Sequence, residues 1–211
     1  MLETANLSCV RGDRVLFEEL SFSLQEGELV HIVGPNGAGK TSLIRMMCGL
    51  VAPAAGEVRW RGENIRKQKE EFNSDLLYLG HHLGVKAELT ALENLRMSCA
   101  LANHALDEDV AWRALDEIGL RGREDLPTKV LSQGQQRRVA LARLLVSQAK
   151  LWILDEPFTA LDVKAVAQLE GVLGRHLAQG GMIVLTTHQT FSLPQGTMRK
   201  LVLENRRGVL Q

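Results

Sequence analysis

Three things are scarce in this chain, and each scarcity removes a class of protein. There is no excess of charge, since 25 Lys and Arg balance 25 Asp and Glu over 211 residues. A chain that grips nucleic acid through its phosphates is expected to show a basic footprint, and none is visible. There is no long apolar run. No stretch approaches the roughly 20 residues that cross a bilayer as a helix, and Met1-Leu2-Glu3-Thr4 lacks the basic and apolar parts of a secretory signal. The expectation is a protein that stays in the cytosol unless a partner holds it at a membrane. Cysteine is sparse and unpaired. Cys9, Cys48 and Cys99 lie far apart and outside any C-x-x-C, which argues against a disulfide framework or a zinc site and for three reduced thiols in core positions. Internal repeats and low-complexity segments are missing too. What remains is a globular chain, 45% hydrophobic, long enough for one domain with a subdomain.

The stretch Gly34-Pro35-Asn36-Gly37-Ala38-Gly39-Lys40-Thr41 fits G-x-x-x-x-G-K-[ST], a phosphate-binding loop. Leu29–Val33 before it is short, apolar and β-branched, as in a buried strand. Ser42–Cys48 after it has helical apolar spacing, with Gly49 as the stop. The glycines permit positive φ, so that successive N–H groups point inward at an anion. The helix N-terminus adds free donors. Lys40 adds a full charge, and the Thr41 hydroxyl suits Mg²⁺. A plain glycine-rich turn would explain the glycines but not the Lys-Thr pair.

Up to residue 28 the chain alternates, with Leu20, Phe22 and Leu24 on one face and a turn at Arg11-Gly12-Asp13-Arg14. Val58 and Trp60 continue this pattern up to a turn at Arg61–Asn64. An antiparallel β layer is expected. From about 82 to 150 the texture is helical. Thr90-Ala91-Leu92-Glu93 and Ser132-Gln133-Gly134-Gln135 are capping boxes. Asp107 heads a helix presenting Val110, Ala114 and Ile118 and ending at Gly119. The second box opens a helix presenting Val139, Ala142, Leu145 and Val146. Beyond 150, Leu151–Leu154 and Met182–Leu185 read as buried strands. Asp162 caps a helix with Val166, Leu169, Leu173 and Leu177, and 200–210 reads as a closing hairpin turning at Asn205–Gly208.

Asp155-Glu156 directly follows a buried strand, where ligands of open α/β sheets sit. There one acid can take Mg²⁺ through water and the other can accept a proton from attacking water. His188 ends the next buried strand, placed to meet a γ-phosphate or orient water. Ser132-Gln133-Gly134 heads a helix and forms a second anion-binding N-terminus, with Arg137 and Arg138 adding positive charge. Taken alone, it is equally a capped helix.

The phosphate loop, Leu131–Gln136, Leu151–Pro157, Ala160-Leu161-Asp162 and His188, in this order and at these spacings, resemble the nucleotide-binding domain of ABC transporters over nearly the whole chain. The resemblance implies an α/β P-loop NTPase fold with a parallel core sheet, an antiparallel β subdomain and a helical subdomain at about 82–150, in a single ATP-binding domain spanning 1–211. It implies an ATPase that uses ATP and Mg²⁺. Gly34, Pro35, Asn36, Gly37, Ala38, Gly39, Lys40, Thr41 and Ser42 would bind ATP. Asp155 and Thr41 would serve the metal. Glu156 would be the general base and His188 the switch histidine. It also implies a head-to-tail homodimer, in which Ser132, Gly134 and Gln135 of one protomer face the ATP of the other and Asp162 communicates between them.

Two positions depart from that family's pattern. Arg11 stands where an aromatic residue usually stacks on adenine, and its guanidinium plane can stack on a base instead. Gly80-His81-His82 stands where a metal-contacting glutamine is usual; one imidazole can substitute as a neutral metal partner, with His81 favoured by register. Arg11, Gly80–Gly84 and Thr90–Leu95 narrow the resemblance to the ATP-binding subunits of the bacterial cytochrome c maturation, or haem exporter, system. That implies a CcmB-like polytopic membrane subunit and haem-handling subunits as partners, and a peripheral place on the cytoplasmic face of the inner membrane. It implies neither a nucleic-acid partner nor direct haem binding. ABC-type ATPases that work on DNA or ribosomes usually add long coiled coils or a second cassette. Neither is present here, and Glu156 and His188 argue against a binding module without turnover.

Overall fold

The computed structural model describes residues 1–204 and 206–211. Two sheets organise the chain. The smaller one is antiparallel, in the order β2-β1-β4-β5. It comprises β1 (Leu2–Arg11), β2 (Arg14–Leu24), β4 (Ala55–Trp60) and the short β5 (Glu63–Asn64). Alternation brings Leu20, Phe22 and Leu24 to its inner face together with Phe17, because successive strand residues point to opposite sides. Asn6 and Glu19 adopt positive φ at breaks in the β1–β2 register, where the paired strands bulge.

The larger sheet runs β10-β9-β3-β8-β7-β6. In it β6 (Leu76–Leu79), β7 (Leu151–Asp155), β8 (Met182–Thr186), β3 (Glu28–Val33) and β9 (Thr197–Glu204) are parallel, and β10 (Arg207–Leu210) turns back along β9. Strands β7 and β8 are buried at every residue, as expected when both faces are covered. One face packs the helix α1 (Lys40–Met47) and the antiparallel sheet through Val30, Ile32, Ile153 and Val184. The other packs α3 (Ala91–Leu101), α4 (Glu108–Glu117), α5 (Gln133–Val146) and α6 (Val163–Ala178).

Both capping boxes form, at Thr90 with Glu93 and at Ser132 with Gln135, and Asp107 and Asp162 cap their helices. Two expected faces need correction. Val110 is exposed, while Ala111, Ala114, Leu115 and Ile118 turn inward. A helix beginning at Glu108 puts 111, 114, 115 and 118 on one stripe and leaves 110 to one side. In α5 the buried set is Arg137, Val139–Ala142 and Leu144, with Leu145 and Val146 only half-buried. This helix is wrapped by neighbours, not laid on a surface. A short helix, α2 (Lys69–Asp75), was not anticipated; only its Phe72 is buried, edge-on to Trp60 with centroids 6.1 Å apart. The expected closing hairpin begins three residues earlier, at Thr197. Of the turn expected at Asn205–Gly208, Asn205 lies outside the described residues. All three cysteines are free and buried.

Candidate functional site

The loops that follow β3, β6, β7 and β8 emerge at one edge of the large sheet. Between them and the β1–β2 turn lies a cavity of about 660 Å³. Its floor is the phosphate loop. Gly37 and Gly39 have φ of 81° and 102°, which a side chain would disfavour. At Gly34 a Cβ would stand 2.5 Å from the Leu203 carbonyl, so that position admits nothing larger than glycine. Lys40 Nζ donates to the Gly34 carbonyl at 2.7 Å and to that of Pro35 at 3.2 Å. The charge is thus held within the loop, and phosphate oxygens can replace those acceptors.

Asn36, Gly37, Gly39, Lys40, Thr41 and Ser42 all face this cavity, as do Arg11, His81, Asp155, Glu156 and His188. Residues drawn from five separate segments therefore converge on one space. His81, not His82, lines it. Ser132, Gly134, Gln135 and Asp162 do not. The Ser132 hydroxyl and the Gln135 side chain bond each other's backbone N–H, at 3.3 and 3.0 Å. Asp162 accepts from Ala165 N at 2.8 Å and pairs with Arg138 at 2.5 Å. Within one chain these four residues stand apart from the cavity.

A hydrogen-bond network fixes the acid pair. Asp155 is 5% exposed, and its Oδ1 accepts from the Thr186 hydroxyl at 2.6 Å. The same hydroxyl and the Thr186 carbonyl both accept from Glu156 N at 3.1 Å, so a single residue positions both acids. Glu156 has φ of 54°. Bulky side chains avoid this region unless the surroundings enforce it, and such outliers gather at functional sites. Its carboxylate lies 3.7 Å from His188 Nε2 and accepts from His188 N at 3.3 Å. Asp155 also acts behind the site: burial pushes the Cys48 thiol pKa well up, and the Asp155 charge adds to the effect.

Arg137 behaves differently from expectation. It is 7% exposed and donates to the backbone carbonyls of Asp155, Glu156 and Pro157. Burial works against its charge, while the Asp155 and Glu156 carboxylates offset that. It adds no charge to the α5 terminus; it clamps the backbone that carries the acid pair. Arg138 is likewise engaged, with Asp162. Sequence reasoning also missed Arg14 and Gln189 in the cavity wall, and Thr186. A hydroxyl residue closing the apolar run Met182–Leu185 was the available signal for Thr186. For Arg137 the signal was its spacing of three, four and seven residues from the buried Ala140, Leu141 and Leu144.

The donor set around Thr41 and Asp155 is one hydroxyl and one carboxylate on the cavity wall. Among the described residues no group of three or more His, Cys, Asp or Glu forms a metal cage. Hard oxygen donors in small number fit Mg²⁺, which keeps its waters and leans on substrate phosphates.

Comparison with known proteins gives a consistent result. The family model for "ABC transporter" matches residues 17–159. A curated relative from Nitrosomonas europaea, "Cytochrome c biogenesis ATP-binding export protein CcmA", is 57% identical over 203 residues, covering 96% of this chain and 95% of the relative. A solved structure titled "Structure of ATP binding subunit of ABC transporter" is 27% identical with a TM-score of 0.89, covering 100% of this chain and 89% of that one. The ATP-binding cassette MJ0796, solved as a dimer in a post-hydrolysis state with ADP and Pi, shares the fold at 23% identity and a TM-score of 0.86, covering 100% of this chain and 98% of that one.

Proposed function

The chain belongs to the ABC transporter family of ATP-binding subunits, and from that premise we propose how it works and what it drives. It is an ATP-hydrolysing subunit of the cytochrome c biogenesis export system. The observation that carries the mechanistic reading is the convergence of Lys40, Asp155, Glu156 and His188 on one cavity at the carboxyl edge of a parallel sheet.

ATP lies with its phosphates on the backbone N–H groups of Gly37–Thr41, and Lys40 leaves the Gly34 and Pro35 carbonyls to meet the terminal phosphates. Arg11 covers the base. Mg²⁺, when bound, neutralises charge on the β- and γ-phosphates; Thr41 and Asp155 would hold it, with His81 beside them. Glu156 accepts the proton of the attacking water, and His188, already bonded to Glu156, orients it and the γ-phosphate. Thr186 and Arg137 hold this arrangement from behind.

The site is completed by a second copy. Ser132 is exposed, Gly134 and Gln135 are half-buried, and none of the three lines its own chain's cavity, which suits a role in closing the partner's. Asp162 and Arg138, bonded beside them, couple the two sites. The energy released leaves mechanically, through a polytopic, CcmB-like membrane subunit on the cytoplasmic side of the inner membrane. There it drives haem transfer or release from the haem-handling subunits.

The test is complementation. A strain lacking this protein should lose covalently haem-bound c-type cytochromes, seen by haem-stained gels, and keep b-type ones. Wild-type protein should restore them, while Lys40→Ala and Glu156→Gln should not. Normal c-type cytochromes in the deletion strain would sink the proposed role, and rescue by Glu156→Gln would sink the requirement for hydrolysis.

A further inference from the structure

A second cavity, of about 350 Å³, adjoins the first and shares Lys40, His188 and Gln189 with it. The two therefore meet where the terminal phosphate lies. The far wall of the second cavity is β9. Parallel pairing sets Met198 beside Leu29 and Lys200 beside His31. Alternate residues of a strand share a face, so all four lie on the same side of the sheet. Leu29 belongs to the core on the α6 side, which places the cavity on that side, roofed by the loop after β8.

Ile32, Val33, Phe191 and Met198 supply the apolar part of the wall, and its charged part is one-sided. Two lysines and two histidines line this space, with the hydroxyl and amide side chains of Thr187, Thr190 and Gln189, and with no Asp or Glu. Lys200 makes no ion pair among the described residues. His31 is 9% exposed, and one ring nitrogen lies 3.2 Å from the Thr187 carbonyl. A carbonyl only accepts, so that nitrogen bears the proton. Burial, first, and the nearby Lys200 charge hold the ring's pKa below its usual value. His31 is thus a neutral donor that pins the roof, while the cavity's positive charge comes from Lys40 and Lys200. The nearest carboxylate, Glu156, lies in the first cavity beside His188, and a wall that itself offers donors and two lysine charges favours a small, compact anion.

We propose that this second cavity is an orthophosphate subsite, entered by the phosphate split from ATP and leading it away past Lys200 while ADP remains on the phosphate loop. The proposal rests on the ATPase reading above.

Product inhibition by added inorganic phosphate tests it, with turnover followed by ADP formation so that added phosphate does not mask the signal. In Lys200→Gln the inhibition constant for phosphate should rise roughly 5-fold or more, the loss expected for one charge-assisted contact at a partly solvated site. The KM for ATP should stay unchanged. Met198→Lys, which adds a cation on the same strand face, should lower the inhibition constant. Two results would overturn the subsite while leaving the ATPase reading intact: phosphate inhibition equal to wild type in both variants, or a parallel rise of KM for ATP and the phosphate constant in Lys200→Gln. A wild-type protein that forms no ADP would overturn the ATPase reading and the subsite together.

Discussion

The proposed base, Glu156, is tied down by two neighbours. Glu156 sits in a left-handed backbone conformation, enforced by the Thr186 hydroxyl in front and the Arg137 guanidinium behind. Replacing it with Gln keeps the shape and removes the base, so the turnover number should fall by about 10²–10⁴-fold with ATP affinity unchanged by calorimetry. Thr186→Val tests the support in place of the base. It orphans a buried Asp155 oxygen and leaves the Glu156 N–H only the carbonyl of residue 186, which should cost about 1–3 kcal/mol in a denaturant titration and lower turnover without abolishing it. Full stability and full turnover in that variant would remove the Thr186 hydroxyl network from the account. The reacting groups were legible in the sequence because loop glycines, an acid pair after an apolar run and a histidine after another are chemical signals with fixed spacing. The supports were not. Arg137 reads as surface charge beside a phosphate-type helix start, and only its helical register with Ala140, Leu141 and Leu144 betrays that it points inward.

At the scale of elements, residues 86–90, which follow His81 in the chain, are held mainly by one side chain from α3. Asn94 is buried, accepts from Lys86 N at 2.8 Å, and donates to the carbonyls of Lys86, Leu89 and Thr90 at 3.1, 3.3 and 2.9 Å. Thr128 adds a bond to the Lys86 carbonyl at 2.6 Å. Asn94→Ala should destabilise the protein by about 1–3 kcal/mol, since the Lys86 N–H loses its acceptor and the carbonyls of Lys86, Leu89 and Thr90 each lose one of their donors. It should also raise proteolytic nicking between residues 80 and 90. An unchanged melting temperature would contradict this role. The sequence made the caps and the strand runs visible, because these depend on neighbours in the chain. It did not reveal α2, whose seven mostly polar residues bury only Phe72 and depend on Trp60, remote in sequence, for a surface to rest on. It put Val110 on the wrong side of α4, because three apolar residues at spacing four fit one stripe as well as the observed set does. The faces of α5 were misjudged for a related reason: a helix surrounded on most sides has no single apolar stripe to read.

At the scale of the whole molecule, stability has a built-in pH limit. His176 on α6 stacks on Trp152, with ring centroids 3.6 Å apart. Burial pulls its pKa down to about 4, below the usual value near 6.5. The unfolded chain therefore binds the proton first as pH falls. Stability should be fully present above about pH 6.5, decline between about 6.5 and 4, and be lost below that, by on the order of 2 kcal/mol since the ring is not wholly sealed from water. His176→Phe should flatten this part of the pH–stability profile; a profile identical to wild type would show that another group sets it. The larger claim is that one chain holds only half of each hydrolytic site, with Ser132, Gly134 and Gln135 serving the partner copy. Mixing two inactive variants tests it most directly. Glu156→Gln lacks the base but keeps Ser132, while Ser132→Arg keeps the base but blocks the partner's phosphate. In a mixed dimer one site joins an intact Glu156 to an intact Ser132. ATP turnover of the mixture should therefore rise clearly above the sum of the two variants measured alone. A mixture no more active than that sum would contradict the account and return the whole site to a single chain.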